Sequence, residues 1–343
     1  MPGPTARKIV CLLPSATEII VALGAADRLV GRSHECDHPA DLLAGVPVLT
    51  GSTLTPLPEG PALDPAAIDR AVREAAHGGR SISTLDRTRL TDLTPDLIIT
   101  QDLCGVCALE HGSVARTAAS ISPPPRVLSL SPTTIEGVLD SILAIGEAIG
   151  LADRAGALAV QTRERLFAAS EYVNPFDDGP TVAVLDWTDP LFIAGHWTPQ
   201  LVERAGARHP LNPTHPKPGS GAAIGPQMAE RIAAPSSIIS AEALGALDPE
   251  WVIIAPCGMS LDHAFHAAQA LAERPWFNRL RALAGGKVLV VDGNRMFSRP
   301  GLGLADAFEF LVGMFNDRPE LIPIDFPYRR LPEPGHRDAT RSS

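Results

Sequence analysis

Arg7-Lys8-Ile9-Val10-Cys11-Leu12-Leu13-Pro14-Ser15-Ala16-Thr17-Glu18-Ile19-Ile20 is the stretch that decides the fold of this chain. The apolar run Ile9 to Leu13 has the length and branching of a parallel strand covered on both faces. Pro14 stops it, and a helix starts at once. Ser15 and Glu18 stand at capping-box spacing, and Ile19, Ile20 and Leu23 continue with helical periodicity. Gly24 offers the left-handed conformation that ends such a helix cheaply. A strand that turns straight into a helix leaves backbone N–H groups at the carboxyl edge of a sheet, where open α/β folds bind ligands.

Working outward, strand patterns recur at Leu29–Ser33, Leu97–Thr100, Arg126–Leu130, Thr181–Leu185, Trp251–Ala255 and Lys287–Val291. Helical patterns at Asp64–His77, Glu110–Ser120, Pro199–Ala205, Leu261–Ala272 and Ala305–Phe315 separate most of them, the signature of parallel α/β layers. Asp64-Pro65 reads as an N-cap followed by proline at the first helical position. From Thr133 to Glu171 no strand pattern occurs. Thr133 and Glu136 form a second capping box, and Ile135, Val138, Leu139, Ile142, Ile145 and Ile149 follow helical periodicity, with a bend or break expected near Gly150-Leu151. A helix of roughly 30 residues runs about 45 Å, long enough to span two lobes. His209–Pro218 with Gly219-Ser220-Gly221 reads as a surface loop, and the Arg-, Pro-, Gly- and Ser-bearing residues 328–343 as a disordered tail.

The bulk numbers exclude several classes. The chain has 343 residues, 45% hydrophobic and 20% charged, which describes a folded globular protein. A formal charge of −10 argues against nucleic acid as a partner. No apolar run reaches the roughly 18 residues of a membrane span, so the chain is read as not membrane-spanning. The first strand follows the N-terminus without an apolar leader, so the sequence as written is read as cytoplasmic, and as periplasmic or exported if its start lies upstream. There is no Walker loop, G-x-S-x-G elbow or H-E-x-x-H motif, and Gly219-x-Gly221-x-x-x-Gly225 has the wrong spacing and context for a dinucleotide fingerprint.

Two constellations bear chemistry. Of the five cysteines, Cys11 lies inside the first strand and reads as a small apolar residue. Cys36 (in His34-Glu35-Cys36-Asp37-His38), Cys104 and Cys107 (a C-x-x-C pair) and Cys257 each fall just past the carboxyl end of a strand. Thiolates so placed suit zinc or an iron–sulfur cluster, with His34 and His38 as further ligands; the alternative is small buried residues or a redox-active pair. The second constellation is Asp186-Trp187-Thr188-Asp189-Pro190-Leu191-Phe192-Ile193-Ala194-Gly195-His196-Trp197, unusually aromatic in a chain only 5% aromatic. Flat apolar faces with a few polar groups suit a large planar ligand. The alternative leaves Phe192 and Trp197 in the core and only Trp187 exposed. Asp186 and Asp189 read as turn formers. Phe297-Ser298-Arg299-Pro300-Gly301 supplies a third loop on the same edge, its Arg299 meeting an acidic ligand group or a surface carboxylate.

Leu13-Pro14-Ser15-Ala16-Thr17-Glu18, His34-Glu35-Cys36-Asp37, Asp102-Leu103-Cys104-Gly105-Val106-Cys107, Asp186-Trp187 with Gly195-His196-Trp197, and Ala255-Pro256-Cys257-Gly258 together resemble the Fe/B12 periplasmic-binding domain family, nearest its cobalamin-binding branch. The likeness covers residues 7–320. It implies an α/β fold of two Rossmann-like lobes with parallel sheets (7–131 and 178–320) joined by one long backbone helix (132–172). It also implies a ligand in the inter-lobe cleft, cobalamin or another corrinoid, haem or an iron chelate, and a non-enzymatic role like that of the substrate-binding component of an ABC transporter, with a permease as partner. On that reading Trp187, Phe192, Trp197 and Phe297 supply stacking area, Pro14, Ser15 and Ala16 offer polar backbone contacts, Arg299 meets an acidic group, and His196 is an axial ligand or hydrogen-bond donor. Exported members dock through surface glutamates; Glu18 is assigned to its cap instead. Leu211–Gly221 looks like an insertion relative to the family. The rival reading is a cytosolic metal or iron–sulfur protein, an enzyme in one form of that reading, built on Cys36, Cys104, Cys107 and Cys257.

Overall fold

Alternate residues of the first strand face opposite sides of its sheet, and both sides are filled. The computed structural model describes residues 5–54, 63–78, 80–101, 111–218 and 230–333. They divide into two units, one drawn from Met1–Leu57, Arg70–Glu164 and Pro300–Leu302, the other from Pro58–Asp69, Arg165–Arg299 and Gly303–Ser343.

The first unit holds strands β1 (Ile9–Cys11), β2 (Leu29–Arg32), β3 (Thr50–Ser52), β4 (Ser83–Leu85), β5 (Leu97–Thr100) and β6 (Arg126–Ser129). Its main sheet has the order β2-β1-β5-β6, all parallel, while β3 and β4 pair antiparallel apart from it. Helices α1 (Pro14–Ala22), α2 (Ala40–Leu43), α3 (Pro65–His77), α4 (Arg87–Leu93), α5 (His111–Ser120), α6 (Ile135–Ala148) and α7 (Ala152–Ser170) follow in chain order, α3 and α7 each crossing the division between units. On one face Ile9, Cys11, Leu97 and Ile99 pack with Ile19 and Ile20 of α1 and Leu139, Ile142 and Ile145 of α6. On the other, Val10, Leu12 and Ile98 pack with Leu49, Leu90 and Val114. This is the two-sided burial that the unbroken apolar run requires.

Helix ends show where local chemistry agrees with the sequence and where it shifts. α1 begins at Pro14, with Leu13 as an extended N-cap and no side-chain cap. The Ser15–Glu18 capping box is therefore not formed: proline, lacking an N–H and pre-set in φ, takes the first helical position and draws Ser15 inside the helix. Its C-terminus is as expected: Gly24 has φ +73°, Gly24 N–H donates to Val21 O and Ala25 N–H to Ile20 O, a Schellman pair. Asp64 caps α3, accepting from Ala66 N–H at 3.0 Å. α6 is capped one residue later than Thr133, by Thr134 accepting from Gly137 N–H at 3.0 Å. The long helical segment breaks where expected. Gly150 has φ +72°, and Leu151 N–H returns to Gly146 O at 2.7 Å. A Cβ on Gly146 would stand 2.1 Å from the Ala155 Cβ, so glycine there lets α7 start directly against α6.

The second unit carries β7 (Val182–Thr188), β8 (Leu191–Ile193), β9 (His215–Pro216), β10 (Arg231–Ile232), β11 (Ser237–Ile238), β12 (Trp251–Ile254), β13 (Val288–Val291) and β14 (Tyr328–Arg330). Its helices are α8 (Trp197–Arg204), α9 (Ala241–Leu247), α10 (Leu261–Ala272), α11 (Arg281–Ala284) and α12 (Gly303–Phe315). The six-stranded sheet runs β11-β8-β7-β12-β13-β14. β7, β12 and β13 are the parallel core; β8, β11 and β14 add antiparallel edges. Two expectations are corrected here. Tyr328–Arg330, read as the start of a disordered tail, pairs with Val291, Val290 and Leu289, and Leu331 beyond it is buried. The start of the expected surface loop at His209–Pro218 is interior: His209, Asn212 and Thr214 are buried. Polar side chains can be buried there because each finds a partner. Val184 N–H donates to His209 Nε2 at 3.3 Å, and Asn212 Nδ2 donates to the Ala194 and Ala234 carbonyls at 3.0 and 3.1 Å.

Candidate functional site

In the first unit, the carboxyl ends of β1 and β2 carry the residues singled out in the sequence. Pro14 is half-buried, but Ser15 and Ala16 are buried, and a Cβ on Gly301 would meet the Ser15 Cβ at 3.0 Å. Their N–H groups precede the first intrahelical bond, from Thr17 N–H to Leu13 O at 3.0 Å. After β2 the chain turns tightly. His34 N–H donates to Thr50 Oγ1 at 2.9 Å, and its ring Nδ1 lies 2.6 Å from the same oxygen. Cys36 points inward, 1% exposed, with its Sγ accepting from Thr17 Oγ1 at 3.0 Å and 3.2 Å from Ser33 Oγ. Burial alone would push this thiol up, yet hydrogen bonds from Cys11, Ser33 and Thr17 bring it down to about 7, whereas burial holds Cys11 well above the ordinary range. Cys104 and Cys107 lie outside the described residues. Cys257, in the second unit, is exposed. Among the described residues no three His, Cys, Asp or Glu side chains are grouped as metal ligands.

In the second unit, the carboxyl edge of β7 is shaped by a bulge. Leu185 faces Ile193 and Trp187 faces Phe192, leaving Asp186 as the extra residue between them. Directly opposed residues of an antiparallel pair share a face, so Trp187 and Phe192 stand side by side, both half-buried. The Trp187 indole N–H is shared between Pro65 O at 3.2 Å and Asp189 O at 3.1 Å. Asp189-Pro190 is the two-residue turn of this hairpin, so Asp189 forms a turn as expected. Asp186 does not. Its carboxylate accepts a hydrogen bond from Ser236 Oγ, its carbonyl accepts from Cys257 N–H at 3.0 Å, and burial pushes its carboxyl up to about 6. Sequence spacing gives no sign of this pair, because Ser236 is 50 residues away.

Gly195-His196-Trp197 closes the same edge. A Cβ on Gly195 would lie 2.3 Å from Ser236 N and 2.5 Å from Ala234 O, so only glycine lets the two segments touch. His196 adopts φ +56°, ψ −119°, a conformation costly for a residue with a side chain, and its N–H is held by Ala234 O at 3.1 Å. Its imidazole lies along the Trp197 ring with centroids 5.8 Å apart, is half-buried, and is shifted by burial toward the neutral form. Trp197 and Phe297, expected as stacking surface, are 5% and 3% exposed. They build the wall behind the edge, because the Trp197 indole N–H is drawn inward to the Phe297 carbonyl at 2.7 Å. Arg299 is buried as well, not a surface group. What the edge carries is therefore two half-buried aromatic rings, an imidazole shifted toward its neutral form in a strained backbone, and a half-buried carboxyl pushed up to about 6. Such a set has the chemistry to suit a flat apolar molecule and to offer a nitrogen to a metal it carries.

No curated protein matches the chain in sequence. Solved structures do match in fold. A periplasmic heme-binding protein from Pseudomonas aeruginosa is 22% identical with a TM-score of 0.64, covering 96% of each chain. The periplasmic vitamin B12-binding protein BtuF of Vibrio cholerae is 18% identical with a TM-score of 0.61, over 92% of this chain and 98% of its own. A protein of an ABC-type Fe3+-hydroxamate transport system from Saccharomonospora viridis is 17% identical with a TM-score of 0.59, over 91% and 93%. The family model described as periplasmic binding protein matches residues 9–294. The chain belongs to the periplasmic binding protein family, whose members are non-enzymatic components of transport.

Proposed function

We propose that this chain is the substrate-binding component of an ABC-type transport system and that its ligand is a corrinoid, most simply cobalamin, or a related tetrapyrrole or iron chelate. The observation that carries the reading is the cross-strand pair Trp187–Phe192, with His196, stacked along Trp197, in the segment that leaves the same hairpin. Two half-buried rings give the area that a planar ligand buries, and a neutral imidazole offers a hydrogen bond or an axial nitrogen. The structural neighbours support this class of cargo, since they are named for heme, vitamin B12 and Fe3+-hydroxamate. Such cargo is delivered to a membrane permease, the partner this reading implies. Among the described residues no helix is long and apolar enough to cross a membrane. The family supports a periplasmic or exported place of action, in contrast to the cytoplasmic reading of the sequence as written. The metalloenzyme alternative has no support in the family.

Retention tests the proposal. The protein is incubated separately with cyanocobalamin, hemin and a ferric hydroxamate, desalted, and its visible spectrum recorded. The reading expects one ligand to be carried through desalting by the native chain and lost in a Trp187→Ala, Phe192→Ala variant. Retention of none of the three would overturn it.

A further inference from the structure

Cys11 and Cys36 are sequence-distant and lie together beneath the start of α1. The Cys36 thiol donates to the Cys11 carbonyl oxygen at 3.6 Å, which sets its sulfur against the Cys11 backbone. Around them, Thr17 Oγ1 donates to the Cys36 sulfur and Ser33 Oγ lies within hydrogen-bond reach of it. The Cys11 thiol donates to Leu13 O at 3.3 Å, the carbonyl that also receives Thr17 N–H, the first bond of α1. A purely structural cysteine sits among apolar atoms. Here the Cys36 sulfur is contacted by two hydroxyl groups, which favour its thiolate, and the Cys11 thiol bonds the carbonyl of the same turn.

We propose that Cys11 and Cys36 are a redox pair that closes into an internal disulfide when a peroxide enters. The sulfur of Cys36 attacks one oxygen of hydrogen peroxide. The O–O bond breaks, water leaves with the proton of the Cys36 thiol, and the sulfur becomes a sulfenic acid. The Cys11 sulfur then attacks that sulfenic sulfur: an S–S bond forms, the S–O bond breaks, and a second water leaves with the Cys11 proton. The two thiols lose two electrons and the peroxide gains them. The disulfide ties the end of β1 to the loop after β2 and removes the thiol donor from Leu13 O, so the redox state is felt at the Pro14–Ser15 turn. An effect on ligand binding there would rest on the function proposed above; the disulfide itself does not.

The test uses the full reduced chain. Native protein is treated with hydrogen peroxide, the remaining thiols are alkylated after denaturation, and peptides are mapped by mass spectrometry without reductant. The expected result is a Cys11–Cys36 linked peptide, lighter by two hydrogen atoms than its parts, with Cys36→Ser leaving Cys11 alkylated. Thr17→Val is expected to slow closure about fivefold, the effect of losing one hydrogen bond to the attacking sulfur, while the circular dichroism stays native. Recovery of both cysteines as free thiols, or of Cys36 as sulfinic acid without a partner, would overturn the proposal whatever the protein binds.

Discussion

Trp197 donates its indole N–H to the carbonyl oxygen of Phe297 at 2.7 Å, joining two edge loops that lie 100 residues apart in the chain. This bond explains why neither ring offers a face to a ligand: each loop is held by what the other buries. Trp197→Phe leaves the Phe297 carbonyl without its indole donor and opens a small void. It is expected to cost about 1–3 kcal/mol, read as a lower urea midpoint at unchanged slope. An unchanged midpoint would show that the bond does not hold the edge together.

Gly195 and Gly156 make a matched pair of probes. Gly195→Ala puts a Cβ 2.3 Å from Ser236 N, where backbone must move, and is expected to destabilise by more than about 3 kcal/mol. Gly156, inside α7, has nothing within 4 Å of its added Cβ. Gly156→Ala is expected to stabilise by roughly 0.5–1 kcal/mol, since alanine is the better helix former. Thermal melts of the two variants check both signs.

Asp186 makes the stability of the unit fall as pH rises through the mildly acidic range. Burial raises its carboxyl to about 6 in the folded chain against 3.8 for a solvated aspartate, so the folded state favours the proton. The stability this contributes is complete below pH 3.8 and is lost as pH rises through 6. Asp186→Asn keeps an acceptor for Ser236 and cannot ionise. It is expected to exceed the native chain in stability at pH 8, by on the order of 2–3 kcal/mol, and to match it at pH 4. Equal stability at both pH values would contradict the burial.

His209 acts in the opposite direction. Its Nε2 accepts from Val184 N–H, so its ring is neutral with the other nitrogen protonated toward Asn212 O, and burial lowers its pKa from 6.5 to about 4. Its contribution is full above pH 6.5 and falls away as pH drops through 4. Acidification is therefore expected to cost on the order of 3 kcal/mol, with the slope flattened in His209→Gln. Urea titrations between pH 7 and 4 would show it.

How much of this is legible in the residues follows from what each feature depends on. β1, β5 and β12 are readable because strands buried on both faces are apolar without interruption. The break at Gly150 is readable because a left-handed residue is a local requirement. The cap of α6 slips by one residue because Thr133 and Thr134 are chemically equal there, and only the entering chain direction chooses. β8 and β14 escape the pattern because each is three residues long and owes its existence to the neighbour it pairs with. Asp186 reads as a turn residue because its actual role comes from a bulge, which is a property of register and not of one strand. The inward turn of Cys36 depends on Thr17 and Ser33, hydroxyls that nothing in the sequence ties to a sulfur.

Tryptophan fluorescence is the most direct measure of whether the β7–β8 edge is a ligand platform. Apo-protein is titrated with cyanocobalamin, hemin and a ferric hydroxamate in parallel, native chain against Trp187→Phe. The account predicts saturable quenching by one of them in the native chain, with a Kd in the micromolar range or tighter, about −8 kcal/mol or more favourable, and a much smaller signal in the variant. No quenching by any of the three at tens of micromolar ligand, about −6 kcal/mol or weaker, would contradict it.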